Sequence, residues 1–234
     1  MDKSKSFFIH DIITVYNSDF LKLELQKIDL IITSPPYNIG IDYGQYDDNK
    51  TYKEYLQFSK NWLAKCYDLL KDNGRICINI PIDTGKNGKR SLASDITLLA
   101  EETGFKYKGT IIWNKQNSKN KFAMAFSKNV EVILILYKGE WKPVKDEFRE
   151  WVNEIWQFSG ENSKRVNHPA AFPVELPRRL IKMFSEVGDV IFDPFLGSGT
   201  TMVAAFLTNR KGIGIEIDRK YFELAKKRLE ERKW

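Results

Sequence analysis

Two short motifs carry side chains and backbone shapes that could do chemistry. The first, Ser34-Pro35-Pro36-Tyr37, directly follows the apolar run IDLIIT. Successive prolines cannot continue a central strand, so the chain turns rigidly there and leaves backbone carbonyls without regular partners. Those carbonyls and the Ser34 hydroxyl could accept hydrogen bonds from an amine, while the Tyr37 ring offers a flat face. The motif predicts a site for an amino group on a planar ring; the structural alternative is a stiffened turn with a core tyrosine.

The second motif, DPFLGSGTT at 193–201, lies between the apolar run VIF and a predicted helix. Gly197 and Gly199 would let the backbone approach a ligand, and the helix N-terminus suits an anionic group. Glu216 follows Gly197 by 19 residues and ends the run GIGIE, where a carboxylate can bind ribose hydroxyls. Met202 replaces the third glycine of a dinucleotide fingerprint, and no P-loop is present. The pattern therefore predicts a nucleoside-containing cofactor without naming it.

A third motif, HPAAFP at 168–173, precedes a predicted helix. Phe172 could flank a cofactor, and Pro173 occupies a position that tolerates proline at the start of a helix. The structural alternative for this segment is a simple turn.

The elements that must position these motifs alternate between apolar runs and amphipathic stretches, which indicates an α/β domain. Strands are predicted at 7–9, 28–33, 75–80, 107–113, 130–137, 190–192 and 212–216, and helices at 52–70, 92–102, 174–185, 200–207 and 219–231. Open α/β sheets bind ligands at the carboxyl ends of their strands, so the first two motifs should meet there. The stretch 139–167 does not fit the alternation and is predicted to be a small insertion.

Charge and composition narrow the function classes. The 234 residues carry a net charge of +6, and 84–130 alone has nine basic residues against three acids. Such a local excess predicts a polyanion partner. Two cysteines form no disulfide framework, two histidines exclude a His-rich metal site, and no apolar run approaches the ~20 residues of a membrane span. With no secretory-type N-terminus, we expect a cytoplasmic protein without a bound metal.

Taken together, TSPPYN near the N-terminus and DPFLGSGTT near the C-terminus resemble the amino-methyltransferases of DNA. The motif order, catalytic before cofactor, is similar to the circularly permuted beta group of that family. The resemblance implies one catalytic domain over 1–234 with a Rossmann-like, S-adenosylmethionine-dependent methyltransferase fold. That fold is a seven-stranded mixed sheet with helices on both faces, and the insertion at about 139–167 becomes the candidate target-recognition region.

The resemblance also implies roles for individual residues. Catalysis would fall to Ser34, Pro35, Pro36 and Tyr37. S-adenosylmethionine would be held by Asp193, Phe195, Gly197, Ser198, Gly199 and Thr200, its ribose by Glu216 and its adenine near Asp11, while His168, Phe172 and Pro173 would close over its methionine end. The implied partner is double-stranded DNA, with phosphate contacts expected from Lys115, Lys119, Lys121 and Lys128. A homodimer and a cognate restriction endonuclease are left open as further partners.

Two sequence features bear on which base and which amino group are methylated. Ser34 stands where many adenine-modifying members have aspartate, and HPAAFP departs from their usual segment, so the chain is more similar to the cytosine-N4 enzymes. We expect methyl transfer to N4 of a flipped-out cytosine. Adenine-N6 transfer on the same scaffold stays open, as do amino-group methylation of RNA or protein and a non-catalytic nucleic-acid binder.

Overall fold

The computed structural model describes residues 5–9, 12–38, 40, 48–83, 90–115, 129–152, 155–159 and 172–232. Five of the predicted site residues lie outside these ranges: Asp11, Lys119, Lys121, Lys128 and His168.

Strands and helices alternate through the described ranges. The strands are β1 (Lys5–Ile9), β2 (Ile13–Asn17), β3 (Ile28–Thr33), β4 (Leu70–Pro81), β5 (Lys106–Asn114), β6 (Val130–Tyr137), β7 (Ile155–Gln157), β8 (Val190–Asp193) and β9 (Lys211–Glu216). The α-helices are α1 (Tyr52–Leu69), α2 (Leu92–Glu102), α3 (Glu175–Phe184), α4 (Thr200–Leu207) and α5 (Arg219–Glu231), and short 3₁₀ helices span Phe20–Lys22 and Asp146–Val152.

All the strands join one mixed sheet in the order β1-β2-β9-β8-β3-β4-β6-β5-β7. β6 is antiparallel to both of its neighbours and β1 is antiparallel to β2, whereas the remaining pairs are parallel. The predicted mixed α/β sheet is confirmed, but its count of seven strands is wrong because β2 and β7 were missed. β2 begins only a few residues after β1 ends, and the short β7 has no pattern of its own.

Helices cover both faces of the sheet, as predicted. α1 and α2 pack over one hydrophobic cluster and α3, α4 and α5 over another. β3 lies between them: Leu30 and Ile32 belong to the cluster under α3–α5, and Ile31 belongs to the opposite one. Burial on both faces explains why this strand reads as a continuous apolar run.

The described part of the insertion is tied to the edge of the sheet. Trp113 of β5 donates its indole N–H to the Phe158 carbonyl at 2.9 Å, and the two rings stack. The Arg179 guanidinium of α3 lies 5.1–5.5 Å from the ring centroids of Trp151, Trp156 and Phe158. These tryptophans therefore pack the insertion onto the domain, and base recognition by this insertion stays a prediction.

No helix among the described residues is long and apolar enough to cross a membrane. The same ranges contain no cluster of three or more His, Cys, Asp or Glu side chains that could hold a metal ion.

Candidate active site

The two motifs meet where the strand order of the sheet reverses. From β3 the chain proceeds to its neighbour β4 on one side, whereas from β8, the other neighbour of β3, it proceeds to β9 in the opposite direction. The segment Ser34–Tyr37, called here the proline turn, follows β3, and the segment Asp193–Thr201, called the glycine turn, ends β8. A reversal of this kind opens a crevice at the carboxyl ends of the strands, where α/β sheets bind their ligands.

A cleft of about 800 Å³, including its open mouth, occupies this crevice. Ser34 and Pro36 line it from the proline turn, and Phe195 and Gly197 line it from the glycine turn. Glu216 lies at its side, and much of the remaining wall is apolar and aromatic, from Phe20, Leu21, Phe58, Trp62, Ile215, Ile217 and Tyr221. The two motifs thus meet at one cavity, although Pro35 and Tyr37 of the proline turn do not line it.

Asp193 anchors both turns from below the cleft and does not line it. Its side chain is buried, and it accepts hydrogen bonds from the Thr33 hydroxyl at 2.8 Å, the Thr201 hydroxyl at 2.7 Å and the Phe195 backbone N–H at 3.1 Å. Burial raises the pKa of the carboxyl group to about 6, although these three donors oppose the shift. Asp193 therefore positions the end of β3 and the start of α4 relative to each other.

The glycine turn needs its glycines for conformation and for close packing. Gly197 and Gly199 have φ values of 52° and 81°, in the left-handed region that side chains disfavour. A Cβ on Gly199 would also come within 3.1 Å of the Ala225 Cβ of α5. An L-residue at Gly199 would therefore be strained by its backbone and crowded by α5.

The hydroxyl groups of the glycine turn face α5 and not the cleft. Arg228 Nη1 donates to Thr200 Oγ1 at 2.9 Å and to Ser198 Oγ at 3.2 Å, and both hydroxyl-bearing residues are buried. Neither Ser198 nor Thr200 lines the cleft. Their predicted contact with the cofactor therefore stays a prediction.

Glu216 sits at the carboxyl end of β9 with its carboxylate held by the backbone. Its Oε2 accepts from the Gly197 N–H at 2.8 Å and its Oε1 from the Asp218 N–H at 2.9 Å. Burial raises the pKa of Glu216 to about 7, against the effect of these two hydrogen bonds. The contact with Gly197 places these two residues, 19 positions apart in the chain, side by side, and the binding of ribose by Glu216 stays a prediction.

The proline turn presents a serine that is paired with a tyrosine. Ser34 Oγ lies 2.6 Å from the Tyr37 hydroxyl, and the Tyr37 ring is 5% exposed. The Pro36 carbonyl accepts from the Tyr55 hydroxyl of α1 at 3.1 Å. Within the described ranges, no donor is paired with the Pro35 carbonyl. Ser34 lines the cleft, whereas Pro35 is buried and does not line it, so a ligand must uncover the Pro35 carbonyl before it can use this acceptor.

A polar network continues from the proline turn into the sheet. The Asn79 amide nitrogen of β4 lies 3.4 Å from the Tyr37 hydroxyl and donates to Glu131 Oε2 of β6 at 2.6 Å. Glu131 Oε1 in turn pairs with the ammonium of Lys115, which follows β5. The side chain of Lys115 is 27% exposed, so this predicted phosphate contact is already engaged by a carboxylate.

The HPAAFP segment contributes to the core and not to the cleft in its described part. Phe172 is buried in the cluster under α3–α5, and the Pro173 carbonyl accepts the Leu176 N–H at the start of α3. Neither residue lines the cleft. Their closure over a cofactor therefore stays a prediction.

Two polar residues after β2 line the cleft in addition to the predicted ones. Asp11 itself lies outside the described residues, so its place near the adenine stays a prediction. The carboxyl end of β2 leads to Ser18 and Asp19, and both line the cleft. These two residues were missed because β2 itself was missed.

The aromatic wall was also missed as a binding surface. Phe58 and Trp62 share one face of α1, where helical spacing indicates only core packing. Both pack against the Phe195 ring of the glycine turn, at centroid distances of 6.1 and 5.5 Å. The Trp62 indole N–H is buried without a hydrogen-bond partner in the described structure.

Solved structures with the same fold include methyltransferases. A modification methylase from Thermus thermophilus, described as complexed with S-adenosyl-L-methionine, matches with a TM-score of 0.68 and 28% identity over 91% of this chain and 90% of that one. The cytosine-N4-specific PvuII DNA methyltransferase matches with a TM-score of 0.77 over 92% and 85% of the two chains, at 21% identity. The second match is informative for the fold alone.

The residues of the cleft fit S-adenosylmethionine. Its adenine ring needs an apolar slot, which Phe20, Ile217 and the rest of the aromatic wall provide. Its ribose hydroxyls need acceptors, which the carboxylates of Glu216 and Asp19 supply. The backbone of Gly197, without a side chain, leaves room for close approach.

Comparisons with protein families and characterised relatives agree with this geometry. The N6/N4 methyltransferase family model, described as DNA methylase, matches residues 28–227. The type II methyltransferase M.MjaVI of Methanocaldococcus jannaschii is 45% identical over 66% of this chain and 90% of its own. The type II methyltransferase M.HpaI of Haemophilus parainfluenzae is 35% identical over 89% and 70%. The chain therefore belongs to the N6/N4 family of DNA methyltransferases, whose cofactor is S-adenosylmethionine.

Proposed function

We propose that this protein methylates the exocyclic N4 amino group of cytosine in double-stranded DNA. The observation that carries the proposal is the single cleft that Ser34 shares with Glu216. An acceptor for an amine at one end and a carboxylate suited to a ribose at the other are what amino-group methylation requires. Bound S-adenosylmethionine supplies an electrophilic methyl group on a sulfonium centre.

The target base must leave the helix to reach this cleft. Extruding a base costs a few kcal/mol, part of which stacking on an aromatic side chain can recover. We assign that stacking to Tyr37. Because the ring is 5% exposed in this structure, the entering base must first uncover it.

Ser34 Oγ and the Pro35 carbonyl would then hold the amino group. Both accept hydrogen bonds from its two N–H donors, so the nitrogen is fixed in line for transfer and the rate gain is largely one of orientation. The amine becomes cationic as the new bond forms, and these acceptors then bind it more strongly than in the ground state. No strong base is required, since the nitrogen-bound proton becomes acidic once the methyl group has arrived.

The choice of cytosine over adenine is supported by Ser34. A neutral hydroxyl replaces the aspartate of many adenine-modifying members, and the segment at 168–173 departs from theirs as well. A cysteine nucleophile acting at carbon 5 is disfavoured, because Cys66 and Cys77 are both fully buried and burial raises the pKa of each thiol.

The basic stretch suits a phosphate-binding rim beside this cleft. Lys115 and Asn129, which bracket 116–128, are joined by a backbone hydrogen bond of 2.8 Å at the carboxyl end of β5. The segment between them carries Lys119, Lys121 and Lys128, which we assign to DNA phosphates.

The naming of M.MjaVI and M.HpaI as type II methyltransferases supports a role in restriction-modification. That role would place the enzyme in the cytoplasm with a cognate endonuclease, and we include a homodimer in the proposal.

The test is to identify the methylated nucleoside. Unmodified DNA amplified from a bacterial chromosome is incubated with the enzyme and methyl-labelled S-adenosylmethionine, then digested and separated by chromatography. We expect the label in N4-methyldeoxycytidine. Label in N6-methyldeoxyadenosine would replace cytosine by adenine in the proposal. Labelling of RNA or protein with inert DNA, or binding of DNA without transfer, would overturn the DNA reaction itself.

A further inference from the structure

We propose that Glu131 is a positioning residue for methyl transfer: through Asn79 and Tyr37 it sets the hydrogen-bonding state of Ser34. This inference rests on the proposed function, because it concerns the acceptor that holds the target amine. Glu131 lies on β6 and does not line the cleft. Its influence must therefore pass through the groups between it and Ser34.

The contacts form an unbroken path. Glu131 Oε2 accepts from the Asn79 amide nitrogen at 2.6 Å, that nitrogen lies 3.4 Å from the Tyr37 hydroxyl, and the hydroxyl lies 2.6 Å from Ser34 Oγ. Asn79 is 2% exposed and Tyr37 is 5% exposed, so water competes little for these bonds. A hydrogen bond sheltered in this way holds its partners more firmly than one at the surface.

Glu131 determines the orientation of the Asn79 amide, and with it the direction in which hydrogen bonds are donated along the path. An asparagine amide has a donor side and an acceptor side of nearly equal shape, so its orientation depends on its neighbours. An ionised carboxylate can only accept, and it therefore selects the orientation in which the nitrogen of Asn79 faces Glu131 and Tyr37. The Tyr37 oxygen then receives a donor from that side. Its own proton has two acceptors within reach, Ser34 Oγ at 2.6 Å and the Asn79 backbone carbonyl at 3.5 Å, and the shorter contact favours the bond with Ser34.

Lys115 holds the Glu131 carboxylate in place. Its ammonium pairs with Glu131 Oε1, and the Glu131 side chain is 12% exposed. This ion pair fixes the position of the carboxylate, so that its other oxygen, Oε2, stays directed at the Asn79 amide. Lys115 also begins the basic segment that we assign to DNA phosphates, so the outer end of the path lies beside the proposed DNA rim.

A purely structural role is the competing explanation. Glu131 pairs in register with Pro81 at the end of β4, so the network could serve only to join β4, β5 and β6. In that case, loss of Glu131 would lower stability without a specific effect on methyl transfer. The two explanations also differ in their dependence on the Tyr37 hydroxyl, which only the positioning role requires.

The experiment is a double-variant cycle of Glu131→Gln and Tyr37→Phe. It uses unmodified amplified chromosomal DNA under single-turnover conditions, with labelled S-adenosylmethionine. We expect Glu131→Gln to slow transfer about tenfold while the Kd for S-adenosylmethionine stays within about twofold. We expect the double variant to be no slower than Tyr37→Phe alone, because the path is already cut. Wild-type speed for a folded Glu131→Gln enzyme, or rate losses that multiply in the double variant, would overturn the positioning role.

Asp29→Asn is the matched control. Asp29 bridges Lys71 Nζ at 2.7 Å and the Val190 N–H at 3.0 Å at the opposite edge of the sheet, with a side chain that is 19% exposed. This variant should lower the melting temperature and leave the transfer rate unchanged. An equal slowing by Asp29→Asn would count against a specific role for Glu131.

Asn79→Leu provides a second route if Glu131→Gln does not fold. It cuts the path in the middle and keeps the Lys115–Glu131 pair, so a similar slowing is expected, and a wild-type rate would overturn the proposal. Failure of the proposed function is distinguishable from either result. A wild-type enzyme that labels no DNA amino group removes both proposals, whereas an active wild type with unaffected variants removes only this one.

Discussion

The proline turn and the glycine turn lie side by side at the ends of neighbouring strands, yet they use their polar groups in opposite ways. The glycine turn commits its side chains to the protein: Asp193 binds Thr33 and Thr201, while Ser198 and Thr200 bind Arg228. The proline turn keeps Ser34 at the cleft, and its buried Pro35 carbonyl has no donor among the described residues. The polar side chains of the glycine turn are thus already hydrogen-bonded within the protein, and this turn offers a ligand mainly its backbone and its shape. The proline turn instead offers hydrogen-bond acceptors, which a substrate amine would occupy.

The largest effect should come from the base side. We expect Tyr37→Ala to lower the single-turnover rate on DNA about 100-fold, because stacking on an aromatic ring contributes about 1–3 kcal/mol per base. Measured by calorimetry, the Kd for S-adenosylmethionine should change far less. Thermal unfolding must confirm a folded variant, since the ring is buried. Unchanged turnover would refute the role assigned to Tyr37 and erase the contrast between the turns.

The next effect should come from the anchor of the glycine turn. Asp193→Asn replaces one acceptor by a donor that faces a hydroxyl donor, so we expect a loss of about 1–3 kcal/mol in the free energy of unfolding. Denaturant unfolding at pH 7.5 measures it. Asp29→Asn, which removes a carboxylate at the far edge, is the comparison. An Asp193→Asn protein as stable as wild type would mean that Asp193 does not anchor the glycine turn.

A smaller effect is expected at the proposed rim. Replacing Lys119 and Lys121 by alanine should weaken DNA binding about tenfold at moderate salt. The slope of log K against log salt should flatten by about 2, because each phosphate contact contributes roughly 0.9. Titrations at several salt concentrations test this, with Lys71 and Lys145 at the opposite edge as the control pair. An unaltered slope would mean that Lys119 and Lys121 do not contact DNA phosphates.

The smallest effect should appear in the pH dependence of cofactor binding. Burial raises the pKa of Glu216 to about 7, so the carboxyl group is mostly protonated at pH 6 and mostly ionised at pH 8. The ionised form offers acceptors to ribose hydroxyls, and affinity for S-adenosylmethionine should therefore rise a few-fold over that range. Calorimetry across the range measures it, and Glu216→Gln should flatten the curve. Affinity that falls with rising pH would contradict the role of Glu216.

Sequence reasoning succeeded where local chemistry and tertiary structure agree. The predicted bounds of α2, α4, α5, β3 and β6 match the structure to the residue. Capping explains part of this agreement: Ser91 accepts from Ser94 N–H before α2, and Asp218 accepts from Lys220 and Tyr221 before α5. The proximity of Gly197 and Glu216 also follows from local structure, because a strand–turn–helix–strand unit of ordinary size brings the end of its second strand back beside its turn.

The elements and site residues that sequence reasoning missed depend on which strands pair in the sheet, and the spacing of residue types does not encode that pairing. β7 exists because β5 supplies its hydrogen-bonding edge, and β2 because β1 and β9 flank it. Without β2, the sequence shows no strand end before Asp19, so its position at the cleft could not be predicted. Trp62 of α1 is fully buried, as its helical spacing indicates, but that spacing does not show that the residue also lines the cleft. Side-chain direction at a sheet edge is decided by the neighbouring strands.

The hydrogen bond between Thr33 and Asp193 joins residues 160 positions apart, across strands that are adjacent in the sheet. At the usual synthesis rate of about 5–20 residues per second, the ribosome makes the proline turn roughly 8–30 s before the carboxylate that anchors it. During that interval β3 has one edge open, and a contact of such long range is slow to form. The long separation of the two turns along the chain thus delays assembly of the proposed reaction centre until most of the sheet has been synthesised.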